Sequence, residues 1–188
     1  DGKILIHCHA GCAQERVISI LRSRGLWPEC PSRPGMRYAP NSSANFETRG
    51  SGDAERTKAA LSIWRSSQPA DGTLVETYLA SRGLHLPPPQ TLRFMPALKH
   101  PSGSIWPAMI SLVTRGTDDT PIAIHRTYLA RDGVGKAPVE PQKMMLGPCG
   151  GGAVRLGNLS AALMVGEGIE TCLAAMKASG NPAWAALS

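Results

Sequence analysis

The stretch Leu163-Met164-Val165-Gly166-Glu167-Gly168-Ile169-Glu170-Thr171 joins an apolar run to an acid set between two glycines and then to the opening of a helix. Apolar residues from Ala161 to Val165 suit a buried strand, and Gly166 and Gly168 relax the backbone around Glu167. Thr171 to Met176 continue at helical spacing until Gly180 stops the helix, and residues 182–187 read as the next strand. A βαβ unit with a carboxylate at the C-terminal end of its first strand places that group in the crevice where open α/β sheets bind ligands. Such a turn can hold metal and phosphate. The alternative is an ordinary strand-to-helix turn with an exposed glutamate.

Upstream the pattern is extended. Residues 91–94, 108–113, 121–130, 142–146 and 153–156 read as strands, separated by turns such as Arg115-Gly116-Thr117-Asp118-Asp119 and Arg131-Asp132-Gly133. Two helices precede them. One begins near Asp53, read as its cap, and carries Ala60, Leu61 and Trp64. The other opens on Thr73-Leu74-Val75-Glu76, the spacing of a capping box in which hydroxyl and carboxylate satisfy backbone amides reciprocally. Tyr78 and Leu79 are expected to face inward, Gly83 to end the helix, and Pro87, Pro88 and Pro89 to form a stiff bend. The expected fold class is α/β in a mixed α+β arrangement.

Residues 31–52 lose periodicity and fill with Pro, Ser, Gly and Asn, the composition of a flexible linker. Ahead of them Gln14 to Arg24 form an amphipathic helix, with Val17, Ile18 and Leu21 on one face and Gly25 as its stop. It follows Ile6-His7-Cys8-His9-Ala10-Gly11-Cys12. A close cysteine pair on a tight turn supplies half of a tetrahedral zinc site, and His7 and His9 are spare donors. The alternative is two buried thiols beside surface histidines. The 5 cysteines, an odd number without regular pairing, argue against a secreted disulfide framework.

No run of about eighteen apolar residues is present to cross a bilayer, and no basic-then-apolar leader opens the chain. The expectation is a soluble, cytoplasmic protein. The net charge of +6 is concentrated: from Arg82 to Arg155 nine basic residues face four acidic ones. Clustered cations attract polyphosphate, although a solvated basic surface gives the same count. Two phosphate-loop readings fail. Gly133-Val134-Gly135-Lys136-Ala137 ends like a nucleotide-binding loop, but position 130 is alanine and Ala137 lacks the magnesium-binding hydroxyl. Gly150-Gly151-Gly152 reads as a hinge or a close backbone approach.

Three motifs together carry a resemblance. The first is residues 2–12 running into the helix 14–26. The second extends from Tyr78-Leu79-Ala80-Ser81-Arg82-Gly83 through Leu92-Arg93-Phe94, Pro107-Ala108-Met109 and His125-Arg126-Thr127-Tyr128-Leu129 to Lys143-Met144-Met145-Leu146-Gly147. The third is Glu167-Gly168-Ile169-Glu170-Thr171. In this order they resemble the primases of bacterial plasmids, phages and integrative elements, which join a zinc-binding module to a toprim-type catalytic core and are relatives of the bacterial replicative primase.

The resemblance implies residues 1–30 as the C-terminal half of a zinc-binding module and 31–52 as a linker. It implies 53–158 as the N-terminal subdomain of a primase core, and 159–188 as the start of a Rossmann-like toprim fold. Zinc would be held by Cys8 and Cys12. His9 is the alternative to Cys8, because three residues separate the cysteines where the replicative primase has two. Glu167 would be the catalytic carboxylate and a magnesium-site residue, with Glu170 ranked below it and expected to face away along the helix. Arg126 and Lys143, and more weakly Lys136, would line the template or nucleotide groove.

The implied partners are a single-stranded DNA template, nucleoside triphosphates and a replicative helicase; the implied cofactors are Zn2+ and Mg2+. The chain reads as a piece of something larger. The family's first Cys-His ligand pair would lie before Asp1 and its Asp-x-Asp motif after Ser188, so the piece is expected to be inert alone. Two further classes stay open: a non-catalytic toprim DNA-binding replication or mobilisation factor, and a toprim nuclease or topoisomerase.

Overall fold

The computed structural model describes residues 12–24, 50–116 and 118–187. The chain divides into two compact units, Asp1–Ser43 and Ala44–Ser188. In the first, helix α1 spans Gln14–Ser23, with Val17, Ile18 and Leu21 forming its half-buried face as expected. Cys8, His9 and Gly25 lie outside the described residues.

The second unit is a mixed α+β structure with α2 (Gly50–Ser66), β1 (Gln68–Pro69), α3 (Leu74–Ser81), β2 (Leu92–Lys99), β3 (Ile105–Arg115) and β4 (Pro121–Tyr128). It continues through β5 (Lys143–Leu146), β6 (Gly152–Arg155), β7 (Met164–Gly166), α4 (Ile169–Ser179) and β8 (Ala183–Ala185). The strands form a single sheet in the order β1-β2-β3-β6-β8-β7, with β4 paired to β3 and β5 to β4. Its pairs are antiparallel except β7 with β8, which run parallel around α4. The expected βαβ unit is thus present.

Strand alternation builds two cores from one sheet, because successive side chains of a strand point to opposite faces. One face carries Ala108 and Ile110 of β3 with Ile124 and Tyr128 of β4, and α2 covers it with Ala60, Ile63 and Trp64. Thr57 fixes that helix by donating to the Ile122 carbonyl at 2.9 Å. The other face carries Met109, Val113 and Ala123 beneath α3 (Val75, Tyr78, Leu79) and α4 (Ile169, Cys172, Leu173). Each fully buried aliphatic side chain contributes on the order of 1.5–3 kcal/mol, so these two layers dominate the stability.

Several boundaries differ from the sequence reading. The helix expected from Asp53 begins at Gly50, so Gly50–Gly52 belong to it rather than to the linker. Asp53 sits in its first turn, where a carboxylate favours the positive end of the helix dipole. At α3 the capping box is modified. Thr73 Oγ1 accepts from the Val75 amide at 3.2 Å, while Glu76 accepts from Gly72 at 2.9 Å, because the Thr73 amide already donates to Ala70.

The strand expected over 161–165 is only Met164–Gly166. It lies at the sheet edge rather than buried, and Val165 is 65 % exposed. No break falls at the expected 158–159 boundary, since β6 pairs with β8 and one core runs from α3 to α4. Gly152 is a close backbone approach, as expected: a Cβ there would stand 2.7 Å from Val113 Cγ1. Gly180 ends α4 in a left-handed conformation at φ 73°.

Candidate active site

The turn from β7 into α4 places Glu167 at the mouth of a cleft of about 310 Å³, lined also by His125, Lys143, Met144, Met145, Gly168 and Leu187. Glu167 is exposed. Gly166 leaves little room just before it: a Cβ there would stand 2.9 Å from Cys172 Sγ, so that buried thiol would have to shift. The opposite wall is β5, whose register with β4 sets Lys143 beside Thr127 and Met145 beside His125.

The side chain that organises this region is Glu170, in the first turn of α4. Its Oε1 accepts from the Tyr78 hydroxyl at 2.6 Å and its Oε2 from Lys143 Nζ at 3.0 Å. Burial opposes its ionisation, but the Tyr78 hydroxyl, its own backbone amide and Lys143 outweigh that and bring its pKa down to about 2. Burial and the bond to Glu170 push the Tyr78 hydroxyl far up, so the phenol stays protonated and donating. Instead of facing away along the helix, Glu170 ties α3, β5 and α4 together and holds Lys143 in place.

Lys136 belongs to the same field: desolvation, then repulsion from Lys143, lowers its pKa, with Glu170 opposing and Arg82 adding. Arg126 does not join it. It is opposite Ile110 and Met144 in register, on the α2 face, while its strand neighbours His125 and Thr127 face the cleft. Its guanidinium donates to the Met145 carbonyl at 3.2 Å. Arg126 and Lys143 therefore do not share a groove.

Sequence reasoning missed His125 as a cleft residue. Burial first, then Lys143, Arg126 and Lys136, lower its pKa to about 4 against the opposing pull of Glu170, so it is neutral at pH 7. The available signal was alternation along β4, which puts His125 on the face opposite Ile124 and Tyr128.

Among the described residues no three His, Cys, Asp or Glu side chains gather as a metal site. Magnesium needs only one or two carboxylates beside phosphate and water oxygens. Glu167 fits as one such oxygen ligand, whereas Glu170 is already committed to Lys143 and Tyr78. For zinc, only Cys12 of the expected ligands is described, exposed just ahead of α1. Among the described residues no helix is long and apolar enough to cross a membrane.

No curated protein and no solved structure matches the chain. A family model described as a domain of unknown function, DUF7146, matches residues 54–156, which include Tyr78, Arg82, His125, Arg126, Lys136 and Lys143 and stop short of Glu167 and Glu170. That match spans more than half of the 188 residues, and the chain belongs to this family.

Proposed function

We propose that this chain is part of a DNA primase of the toprim type, a nucleotidyltransferase that makes short primers on single-stranded DNA for mobile-element replication. The observation that carries the reading is the meeting of Glu167, on a strand-to-helix turn, with Lys143 across one cleft, beside a field that includes Lys136 and Arg82. In such a reaction a primer 3′ hydroxyl attacks the α-phosphate of a nucleoside triphosphate and pyrophosphate leaves. Charge neutralisation at the phosphate matters more there than covalent help, and bound Mg2+ would supply Lewis-acid stabilisation.

The chain's own residues would divide the work. Glu167 offers an oxygen ligand at the cleft mouth, Lys143 neutralises phosphate charge, and Glu170 with Tyr78 fixes the lysine so that it need not be ordered on binding. Lys136 adds positive charge nearby. Arg126 supports β5 from the other face, with no direct phosphate contact assigned to it. Cys12, with Cys8 or His9, would serve a zinc module that grips the template; a helicase partner and a cytoplasmic location complete the reading.

The decisive test uses the longer protein obtained by translating the DNA that flanks this chain. Glu167→Ala and Glu167→Gln should cut primer synthesis on single-stranded DNA by about 10²-fold or more, several kcal/mol of transition-state stabilisation, with DNA binding retained. Undiminished synthesis by both variants removes the assignment. A wild-type protein that binds single strands without priming supports instead the non-catalytic DNA-binding factor, a reading favoured by Lys143 being neutralised already by Glu170. Strand cleavage supports the nuclease or topoisomerase class.

A further inference from the structure

The sheet face beneath the cleft carries three buried polar atoms that no described protein group satisfies: Ser111 Oγ, His125 Nδ1 and Thr127 Oγ1. Ser111 and Thr127 are 0 % exposed and His125 is 6 %. They are neighbours, since Ser111 and His125 are register partners and Thr127 lies two residues further on the same face. Leaving a buried polar group unpaired costs about 1–3 kcal/mol, so a row of three disfavours folding and marks polarity that serves something else. Of the three, His125 lines the cleft.

The chemistry around His125 selects the class of ligand. Burial, with Lys143 and Lys136 as cations and Arg126 from the other face of β4, keeps the ring neutral at pH 7 against the opposing pull of the Glu170 carboxylate. A neutral imidazole presents one donor and one acceptor, which suits an uncharged edge having both and gives no advantage to phosphate. Phosphate has Lys143 beside it instead. Met145 and Leu187 line the same space with flexible apolar surface, a thioether among it, which packs well on a flat ring. The volume of about 310 Å³ is at the small end for ligand sites.

From the juxtaposition of His125, Met145 and Leu187 with Lys143 in one cleft, we infer that this is a nucleobase subsite, in which His125 hydrogen-bonds an edge of the base and Lys143 faces its phosphate. The ligand class rests on the nucleotidyl-transfer reading and extends it by assigning where the base goes. The base belongs either to a free nucleotide or to a nucleotide within a single strand, and the two sources separate experimentally.

The test follows the His125 ring nitrogens by NMR in the 188-residue chain with ¹⁵N-labelled histidine at pH 7, titrated separately with adenosine, cytidine, a single-stranded oligonucleotide and inorganic tripolyphosphate. Saturable shifts with a nucleoside assign the free nucleotide, and shifts with the oligonucleotide alone assign a base in a strand. Tripolyphosphate should leave these nitrogens unmoved. His125→Phe, which keeps an aromatic ring and removes both nitrogens, should weaken base binding about tenfold without changing tripolyphosphate binding, and His125→Gln should recover part of the loss. The wild-type titration needs no variant to fold.

Silence toward every base-containing probe, or a response to tripolyphosphate equal to that of the nucleosides, overturns the subsite. A responsive His125 in a protein that never primes leaves the subsite standing and removes the primase reading. Priming with a silent His125 does the reverse.

Discussion

On one face of β4, Ile124 and Tyr128 pack with α2 and Arg126 shares their face; on the other, His125 and Thr127 lie beside Lys143, in the region where Glu170 and Tyr78 join α4 to α3. Both faces bury comparable aliphatic side chains, so both hold the fold together. Only the second combines unpaired buried polar atoms, a shared carboxylate and an opening to solvent. On the α2 face Arg126 donates to the Met145 carbonyl through one nitrogen and keeps one buried unpaired atom, Nε. The cleft face carries three such atoms, Ser111 Oγ, His125 Nδ1 and Thr127 Oγ1, next to an opening to solvent, and the proposed site is placed there for that reason.

The largest effect expected from breaking this comparison is structural. Ile110→Ala, on the α2 face, should cost about 2–5 kcal/mol in denaturant unfolding, while the His125 ring signals keep their positions. Movement of those signals comparable to a cleft variant's would show that the two faces are not independent.

Acid should act through the cleft face. Folded His125 titrates at about 4 rather than 6.5, so between those values the unfolded chain binds the proton and the native one does not. Stability should therefore fall as pH drops from 6.5 to 4, by at most about 3 kcal/mol. Glu170, at about 2 rather than 4.5, adds a further loss below pH 4.5. Unfolding of His125→Phe across this range should lack the first decline; an unchanged slope would reject the assignment to His125.

Next in size is Tyr78→Phe, which removes a hydrogen bond to an ionised group and should cost about 2 kcal/mol, with the Glu170 pKa rising from about 2 in a carboxylate NMR titration. No rise would mean that the phenol does not hold the carboxylate.

The smallest effect sharpens the comparison across β4. In single-stranded DNA binding, Lys143→Gln should reduce the slope of log affinity against log salt by about 0.7, the loss of one phosphate contact, and Arg126→Gln should not. Equal reductions would place both cations on the same nucleic-acid track.

Much of the architecture was legible from local chemistry. The alternation of residues 108–113 and 121–128, the Thr73 cap, the glycine stop at Gly180 and the strand-turn-helix around Glu167 all depend on neighbours within a few residues. The starts of α2 and β7 were misplaced for the same reason. Glycine and serine resemble linker until a sheet gives the helix something to pack on, and an apolar run resembles a buried strand until its edge position is known.

The site was legible in part. Glu167 and Lys143 were found and do meet at one cleft, but the resemblance grouped Arg126 with Lys143, and the two lie on opposite faces of the sheet. Which face each occupies depends on the register of β4 with β5, and register is set by pairing across the sheet. Glu170 was undervalued because its partners, Tyr78 and Lys143, are 92 and 27 residues away.

By itself the sequence determined where the chain turns, where its helices stop and which residue types alternate, because torsional preference and periodicity are local properties. Only the tertiary structure decided that one carboxylate is exposed at the cleft and another is bound between a phenol and a lysine. It alone left a neutral histidine without a partner beside them, because burial and distance between remote segments, rather than residue type, set the charge and availability of a side chain.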